Sequence, residues 1–200
     1  MHDTVYVTTS PHLYKSYKGE RREIDANLYK EVHVWKESYE PEDTTEAAIK
    51  AAEKYPNKRL IVHYLPPHTP LLGEDLFADF EGAPYEEMLT GEVDIGREEF
   101  DREYHRNLEI GLDHVEELLP SLDGKTVVTA DHGQMLGDKE YPLPVRGYGH
   151  PGLYVDELVA VPWLELPFEE RREIVAENPD RSSLDAEDAA EEALRDLGYL

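Results

Sequence analysis

The chain has 200 residues, of which 45 are Asp or Glu and 20 are Lys or Arg, so its formal net charge at pH 7 is −25. A surface this negative repels phosphate groups, which argues against nucleic acid and anionic membranes as partners. The sequence contains no run of about 18 apolar residues, the length that a membrane-spanning helix requires. Cysteine is absent, which excludes disulfides, thiolate metal sites and a cysteine nucleophile.

The acidic residues are spread along the whole chain rather than gathered in a tail. Such a charge repels itself at low salt, so we predict a salt-adapted, halophilic protein, the alternative being an ordinary acidic one. The first four residues, MHDT, hold neither a basic nor an apolar stretch, so we expect no secretory signal and a cytoplasmic location. Hydrophobic residues make up 40% of the chain, enough for the core of one domain.

The first third of the chain predicts strands and one helix. Residues 4–8 and 32–35 are rich in β-branched and aromatic side chains and predict two short strands, and the polar segment 15–29 between them predicts partial helix. Asp43 and Glu46 have the spacing of a capping box, so we predict a helix over the alanine-rich residues 44–55. Residues 59–65 predict a buried strand that ends at Pro66 and Pro67, because proline cannot continue a ladder.

The remaining elements follow a long irregular connection over residues 66–96, and connections of this length are usually functional or disordered. A helix is predicted over residues 97–119 and a strand over 125–130. Residues 158–164 predict an edge strand and residues 185–197 a final helix. The helix 97–119 carries an apolar stripe that we interpret as core: Phe100, Tyr104, Leu108, Leu112, Val115 and Leu119.

Strands that alternate with helices predict an α/β fold with a largely parallel central sheet and helices on both faces. Ligands of such sheets bind beyond the carboxyl ends of the strands. Asp131 and His132 follow the strand 125–130, and their oxygen and nitrogen donors suit Zn²⁺ or Mn²⁺. The alternative is that Asp131 caps a following helix and that His132 lies on the surface.

Three further histidines are candidates for the same end of the sheet. His63 and His68 flank the turn at Pro66 and Pro67, where they could hydrogen-bond an anionic ester oxygen. His63 could instead be a core histidine with a backbone partner. His150 lies in a glycine-rich loop and could be an ordinary surface residue. The hydroxyls of residues 8–10 could supply a nucleophile, but we interpret them as loop and cap residues.

Several segments together resemble the sulfatase branch of the alkaline-phosphatase-like superfamily. Residues 126–137 (TVVTADHGQMLG) resemble its late metal-binding motif, and residues 63–70 (HYLPPHTP) resemble its Pro-His loop near the substrate. Residues 149–151 (GHP), followed by 161–163 (VPW), are similar to a stretch that carries a substrate or metal contact. The ending 194–200 (LRDLGYL) is similar to a common sulfatase C-terminus, and the acidity resembles that of haloarchaeal members.

The resemblance implies the C-terminal portion of an alkaline-phosphatase-like fold over residues 1–165, with an acidic helical extension over 166–200 packed on it. It implies a divalent Zn, Mn or Ca ion bound by Asp131, His132 and His150. It also implies that His63, His68 and His150 contact a small anionic sulfate or phosphate ester. The family's first strand with its metal-binding Asp, and the nucleophile that follows, have no counterpart here, so the catalytic residue stays unassigned.

Three interpretations follow. The chain is a truncated metal-dependent hydrolase of sulfate or phosphate esters, or it is a non-catalytic pseudoenzyme or interaction module that keeps the fold. The third is a subunit completed by a separate N-terminal polypeptide. Loss of the N-terminal strands would expose a sheet edge, and exposed edges favour pairing, so a homo-oligomer is a further expectation.

Overall fold

A computed structural model describes the chain over residues 2–10, 16–17, 20–21, 28–36, 38–69, 71–72, 76–77, 84–139 and 146–180. The strands are β1 (Thr4–Thr8), β2 (Ser16–Tyr17), β3 (Glu20–Arg21), β4 (Lys30–His33), β5 (Arg59–His63), β6 (Val127–Thr129), β7 (Met135–Lys139), β8 (Arg146–Gly149) and β9 (Trp163–Glu165). The α-helices are α1 (Pro41–Lys54), α2 (Tyr85–Thr90), α3 (Arg97–Leu118) and α4 (Asp156–Val159). Two 3-10 turns cover Val34–Lys36 and Leu119–Ser121.

A three-stranded parallel sheet with the order β4-β1-β5 forms the centre of the fold. In its register Val5 pairs with Lys30 on one side and with Leu60 on the other. Val5 and Val7 are fully buried, and α1 contributes Ala48 and Ala51 to the same core. β-Branched residues in the central strand and small residues on the covering helix let the two layers approach closely. The fold is therefore mixed α/β, as the sequence predicts.

The remaining strands pair in a way that the sequence does not predict. β6 pairs with β9 and β7 with β8, both antiparallel, and β2 forms a two-residue antiparallel pair with β3. The parallel arrangement therefore holds for three strands, and the described strands of the C-terminal half are antiparallel. The glycine-rich loop expected before His150 is in part β8.

The helices α1 and α3 lie where the sequence predicts them, but two other predictions are wrong. The segment 15–29, predicted as partial helix, contains β2 and β3, and the strand predicted over 158–164 begins within α4. α3 carries the predicted stripe from Phe100 to Val115, and Leu119 lies in the 3-10 turn that contains Pro120. Phe100 is fully buried, whereas Leu112 is 46% exposed, so the stripe is core only in part.

The capping box at Asp43 is wrong, because α1 begins at Pro41 and its N-cap residue Glu40 makes no side-chain cap hydrogen bond. Proline fixes φ near the helical value and lacks the N–H that a first turn leaves unpaired, so it starts the helix earlier. None of the described helices has both the length and the apolar composition that a membrane span requires.

A second core lies between α2, α3 and the β7–β8 pair. Phe100 of α3 is fully buried at its centre. Its ring centroid lies 5.8 Å from that of Phe77, 6.0 Å from Tyr85 and 5.9 Å from Tyr148. Tilted and edge-on contacts of this kind stabilise aromatic clusters beyond their buried area. The cluster fixes β8, and with it the chain that leads to His150, against α3.

Residues 166–180 return to the edge of the sheet without forming a described helix. Glu177 N–H donates to His2 O at 3.0 Å, and Asp180 N–H donates to Tyr29 O at 2.7 Å. Lys58, whose exposed fraction is 3%, donates to Val175 O at 2.8 Å and pairs with Glu177. The helix predicted over 185–197 lies outside the described residues, and the division into 1–165 and 166–200 stays a prediction.

Replacing Lys58 with methionine should lower the free energy of unfolding by about 1.5–3 kcal/mol, the range for hydrogen bonds that involve a charged group. The substitution keeps the apolar stem but loses the bond to Val175 O and the ammonium 4.1 Å from the Tyr29 ring centroid. Urea unfolding measures the change. Lys50→Met is the matched control, because Lys50 pairs with Glu46 on the surface and should cost less than about 0.5 kcal/mol. Equal losses would contradict the prediction.

Candidate functional site

All five predicted site residues lie around one cavity of about 850 Å³. His63 is the last residue of β5, and His68 lies in the turn that follows. Asp131 and His132 follow β6, and His150 follows β8 directly. These residues come from three separate segments of the chain, and the structure places them around the same cavity.

Distances within the cluster are short. The ring centroids of His132 and His150 are 4.5 Å apart, and those of His68 and His150 are 5.9 Å apart. Asp131 lies between two histidines, with Oδ2 3.8 Å from His63 Nε2 and Oδ1 3.8 Å from His132 Nε2. Four imidazoles and one carboxylate thus share one end of the cavity.

His63 is held by a side chain that the sequence analysis missed. The Tyr6 hydroxyl lies 2.6 Å from His63 Nδ1. Burial raises the pKa of Tyr6 and lowers that of His63, so near neutral pH the phenol keeps its proton and the imidazole is uncharged. With Tyr6 O–H as donor, Nδ1 accepts and the His63 proton sits on Nε2, facing Asp131. His63 therefore has a side-chain hydrogen-bond partner, whereas the alternative interpretation of His63 as a core histidine expected a backbone partner.

His68 is a neutral imidazole in a defined orientation. Burial lowers the pKa of His68 to about 4, and the neighbouring His150 adds to the decrease. Its Nδ1 lies 2.5 Å from the carbonyl oxygen of Thr69, and a carbonyl can only accept, so Nδ1 carries the proton. The lone pair of the ring is then on Nε2, and a neutral imidazole with a lone pair is the form that binds metal ions.

Three hydrogen bonds to backbone groups hold the Asp131–Gly133 turn in place. Asp131 Oδ1 accepts the His132 N–H at 2.9 Å, His132 Nδ1 donates to Gly133 O at 2.8 Å, and the Gly133 N–H donates to Leu158 O at 2.9 Å. The helix that Asp131 might cap is not found, because β7 follows this turn. The turn leaves Asp131 and His132 exposed at the cavity end.

Other polar groups reach the same cavity. Tyr104 of α3 and Gln134 line it, and burial, with a smaller contribution from Asp131, raises the pKa of Tyr104 to about 12. The Thr8 hydroxyl donates to Ser10 O at 3.3 Å and Thr9 to His63 O at 3.3 Å, the loop roles expected for them. Ser10 lines the cavity.

The cluster contains the types of donor atom that bind metal ions, but these atoms are not arranged around a single point. In the part of the chain that the structure describes, no three His, Asp or Glu side chains are placed to hold one ion. Imidazole nitrogens and a carboxylate are the donors that Zn²⁺ and Mn²⁺ accept. The rings of His132 and His150, with centroids 4.5 Å apart, are the two imidazoles closest to each other in the cluster, and both residues are exposed.

Comparison of the chain with models of protein families, with curated proteins and with solved structures finds no significant match.

Proposed function

We propose that the chain is a sulfatase-like member of the alkaline-phosphatase-like superfamily, and that its cavity binds a divalent metal ion and a small sulfate or phosphate ester. One observation carries this proposal. Five residues that the resemblance selects, from three segments as far apart as His63 and His150, line a single cavity.

Asp131, His132 and His150 would hold the metal, and the tautomer of His68 adds its Nε2 as a fourth candidate donor. Calcium fits this set poorly, because it takes six to eight oxygen ligands, so we favour Zn²⁺ or Mn²⁺. A bound ion would polarise the ester and offset the negative charge that develops on it.

The histidines differ in what they can do for the substrate. His63 Nε2–H points into the site and can donate a hydrogen bond to an anionic ester oxygen. His68 donates its Nδ1 proton to Thr69 O, so its Nε2 could accept a hydrogen bond from a substrate hydroxyl where it does not bind the ion. None of the described hydroxyls is assigned as nucleophile, because Thr8 and Thr9 donate to backbone oxygens.

Calorimetric titration with Zn²⁺ and Mn²⁺ in molar KCl tests the metal site. We expect a Kd below about 10 μM, and Asp131→Ala should weaken it more than tenfold, which corresponds to about 1.4 kcal/mol. Removing the carboxylate deletes the one negatively charged donor of the cluster, and a cation depends most on that donor.

Asp113→Ala is the matched control, because it removes one carboxylate from the exposed surface of α3. It should leave the Kd within about twofold. Equal weakening by both variants would mean that the ion binds the acidic surface at large, and the proposal of a site would fail. A working site would then be assayed with aryl phosphates and aryl sulfates.

Salt should stabilise the protein. The net charge of −25 repels itself over a Debye length of about 30 Å at 0.01 M salt, which falls to about 3 Å at 1 M. We expect Tm to rise by about 10 °C between these concentrations of KCl, the shift that roughly 3 kcal/mol gives to a chain of this size. Sorbitol of equal osmolality should raise it much less. A Tm that stays constant in KCl would contradict the halophilic assignment.

A further inference from the structure

The cavity continues from the histidine cluster along the edges of two strands. Its lining includes every residue from Leu60 to His68 and every residue from Lys125 to Gln134. Side chains alternate between the two faces of a strand, so a cavity against one face would be lined by every second residue. An unbroken lining means that the cavity lies at the edges of β5 and β6, where the backbone is accessible.

Each of these strands has one edge that faces the cavity. Within the described residues, β5 is hydrogen-bonded to β1 alone and β6 to β9 alone. His63 and Asp131, at or just beyond the carboxyl ends of β5 and β6, approach to 3.8 Å, so both strands run toward the histidine cluster. The backbone groups of the two facing edges are those that pair with an added strand.

The floor of the cavity is apolar and partly open. α3 contributes Leu108, Leu112 and Val115, and Gly111 lies where a Cβ would be 3.6 Å from Pro66. Leu112 is 46% exposed, and Ile61 of β5 is 43% exposed. These residues belong to a strand and a stripe that the sequence predicts as buried, and contiguous exposed apolar surface marks an interaction site.

Charge separates the candidate occupants. Every copy of this chain carries −25, so two copies repel each other, and a segment with basic residues is attracted. At one end of the cavity lies Asp131, whereas at the other end Asp123 interacts with Arg172 and is close in the chain to Lys125. The preference for Lys or Arg on each side of an apolar stretch therefore comes from the net charge of the chain, with Asp131 as a local partner at one end.

We propose that the gap between β5 and β6 is a binding slot for one extended apolar segment, about five residues long and flanked by basic residues, from another polypeptide. The segment adds as a strand between β5 and β6 and covers the stripe of α3. Its length matches the five residues of β5. The inserted strand ends beside Asp131, so the slot also lets a partner bring residues to the histidine cluster.

The test uses a labelled peptide, KLVVIVK, as the probe, with fluorescence anisotropy as the readout and EDTA present. Because EDTA removes divalent ions, the result does not depend on the proposed metal site. We expect saturable binding with a Kd below about 100 μM that survives 1 M KCl, because backbone pairing and apolar contact are not screened by salt. Amide hydrogen exchange should slow in β5 and β6.

One variant peptide and one pair of protein variants define the slot. KLVPIVK lacks one backbone donor and should bind at least tenfold more weakly. Leu112→Lys places a charge on the floor of the slot and should also weaken binding at least tenfold. Leu89→Lys changes an equally exposed leucine of α2, 51% exposed and outside the cavity lining, and should leave binding unchanged.

Any of several results would overturn the proposal: no saturable binding up to about 1 mM, equal binding of the proline peptide, or equal effects of the two lysine variants. Sedimentation of the unmodified chain adds one more. A dimer that Leu112→Lys dissociates and Leu89→Lys does not would assign the slot to a second copy of this chain.

Discussion

Replacing Phe100 with alanine should lower the free energy of unfolding by about 3–5 kcal/mol, the usual cost of removing a buried phenylalanine side chain. Phe100 is fully buried, and its ring contacts those of Phe77, Tyr85, Tyr104 and Tyr148. The rings come from separate elements, so they cannot all move inward to fill the space. Urea unfolding monitored by circular dichroism measures the change.

Leu89→Ala gives the comparison for this prediction. Leu89 lies on α2, near the same cluster, but half of its side chain is in solvent, so its loss should change stability by about 0.5 kcal/mol or less. If Phe100→Ala cost no more than Leu89→Ala, the second core would not be a stabilising unit. Since Tyr148 lies two residues before His150, Phe100→Ala should also weaken metal binding at the site we propose.

The elements with a clear period could be predicted from the sequence. Spacing by three and four residues located α3, and β-branched runs located β1 and β5, because these patterns reflect which faces are buried. The cap of α1 and the β7–β8 pair were missed. Gly147 suggested a loop, yet it lies in β8. A Cβ at this position would overlap the side chain of Met135, which explains why a glycine occupies a strand. Only the packed structure shows that the glycine serves a close approach.

Burial of β5 could not be predicted from its composition. Its apolar run is typical of a strand covered on both sides, yet Ile61 is 43% exposed. An apolar composition shows that a strand is suited to burial, but the described residues do not cover all of the apolar surface of β5. The exposed apolar face of β5 borders the slot proposed between β5 and β6.

The predicted site residues meet for a topological reason. His63 ends β5, Asp131 follows β6, and strands that run in the same direction place their ends together. Tyr6 was missed because a tyrosine in a strand is ordinary, and only the register, with Thr8 beside His63, indicates that β1 side chains reach the same end. The position of His150 depends on β7–β8 pairing, which the sequence did not reveal.

Replacing Gly133 with alanine should disrupt the Asp131–Gly133 turn and lower the free energy of unfolding by about 1–3 kcal/mol, the cost of overpacking. An added Cβ would overlap the carbonyl oxygen of Glu157, and it would lie 2.9 Å from the carbonyl carbon. Both atoms belong to the backbone of α4, which cannot rotate away as a side chain would. The turn must shift, and the Gly133 N–H then loses its bond to Leu158 O.

The shift should move Asp131 and His132 away from His63 and His150, and we expect Zn²⁺ affinity to fall more than tenfold together with stability. Gly152→Ala is the matched control, because a Cβ at Gly152 meets no atom within 4 Å although it lies close to His150 in the chain. That variant should change stability by about 0.5 kcal/mol or less and leave the affinity unaltered. A Gly133→Ala protein with unchanged stability would mean that α4 yields to the methyl group. Lost stability with unchanged Zn²⁺ affinity would instead separate the turn from the ion, and the metal would have to lie elsewhere.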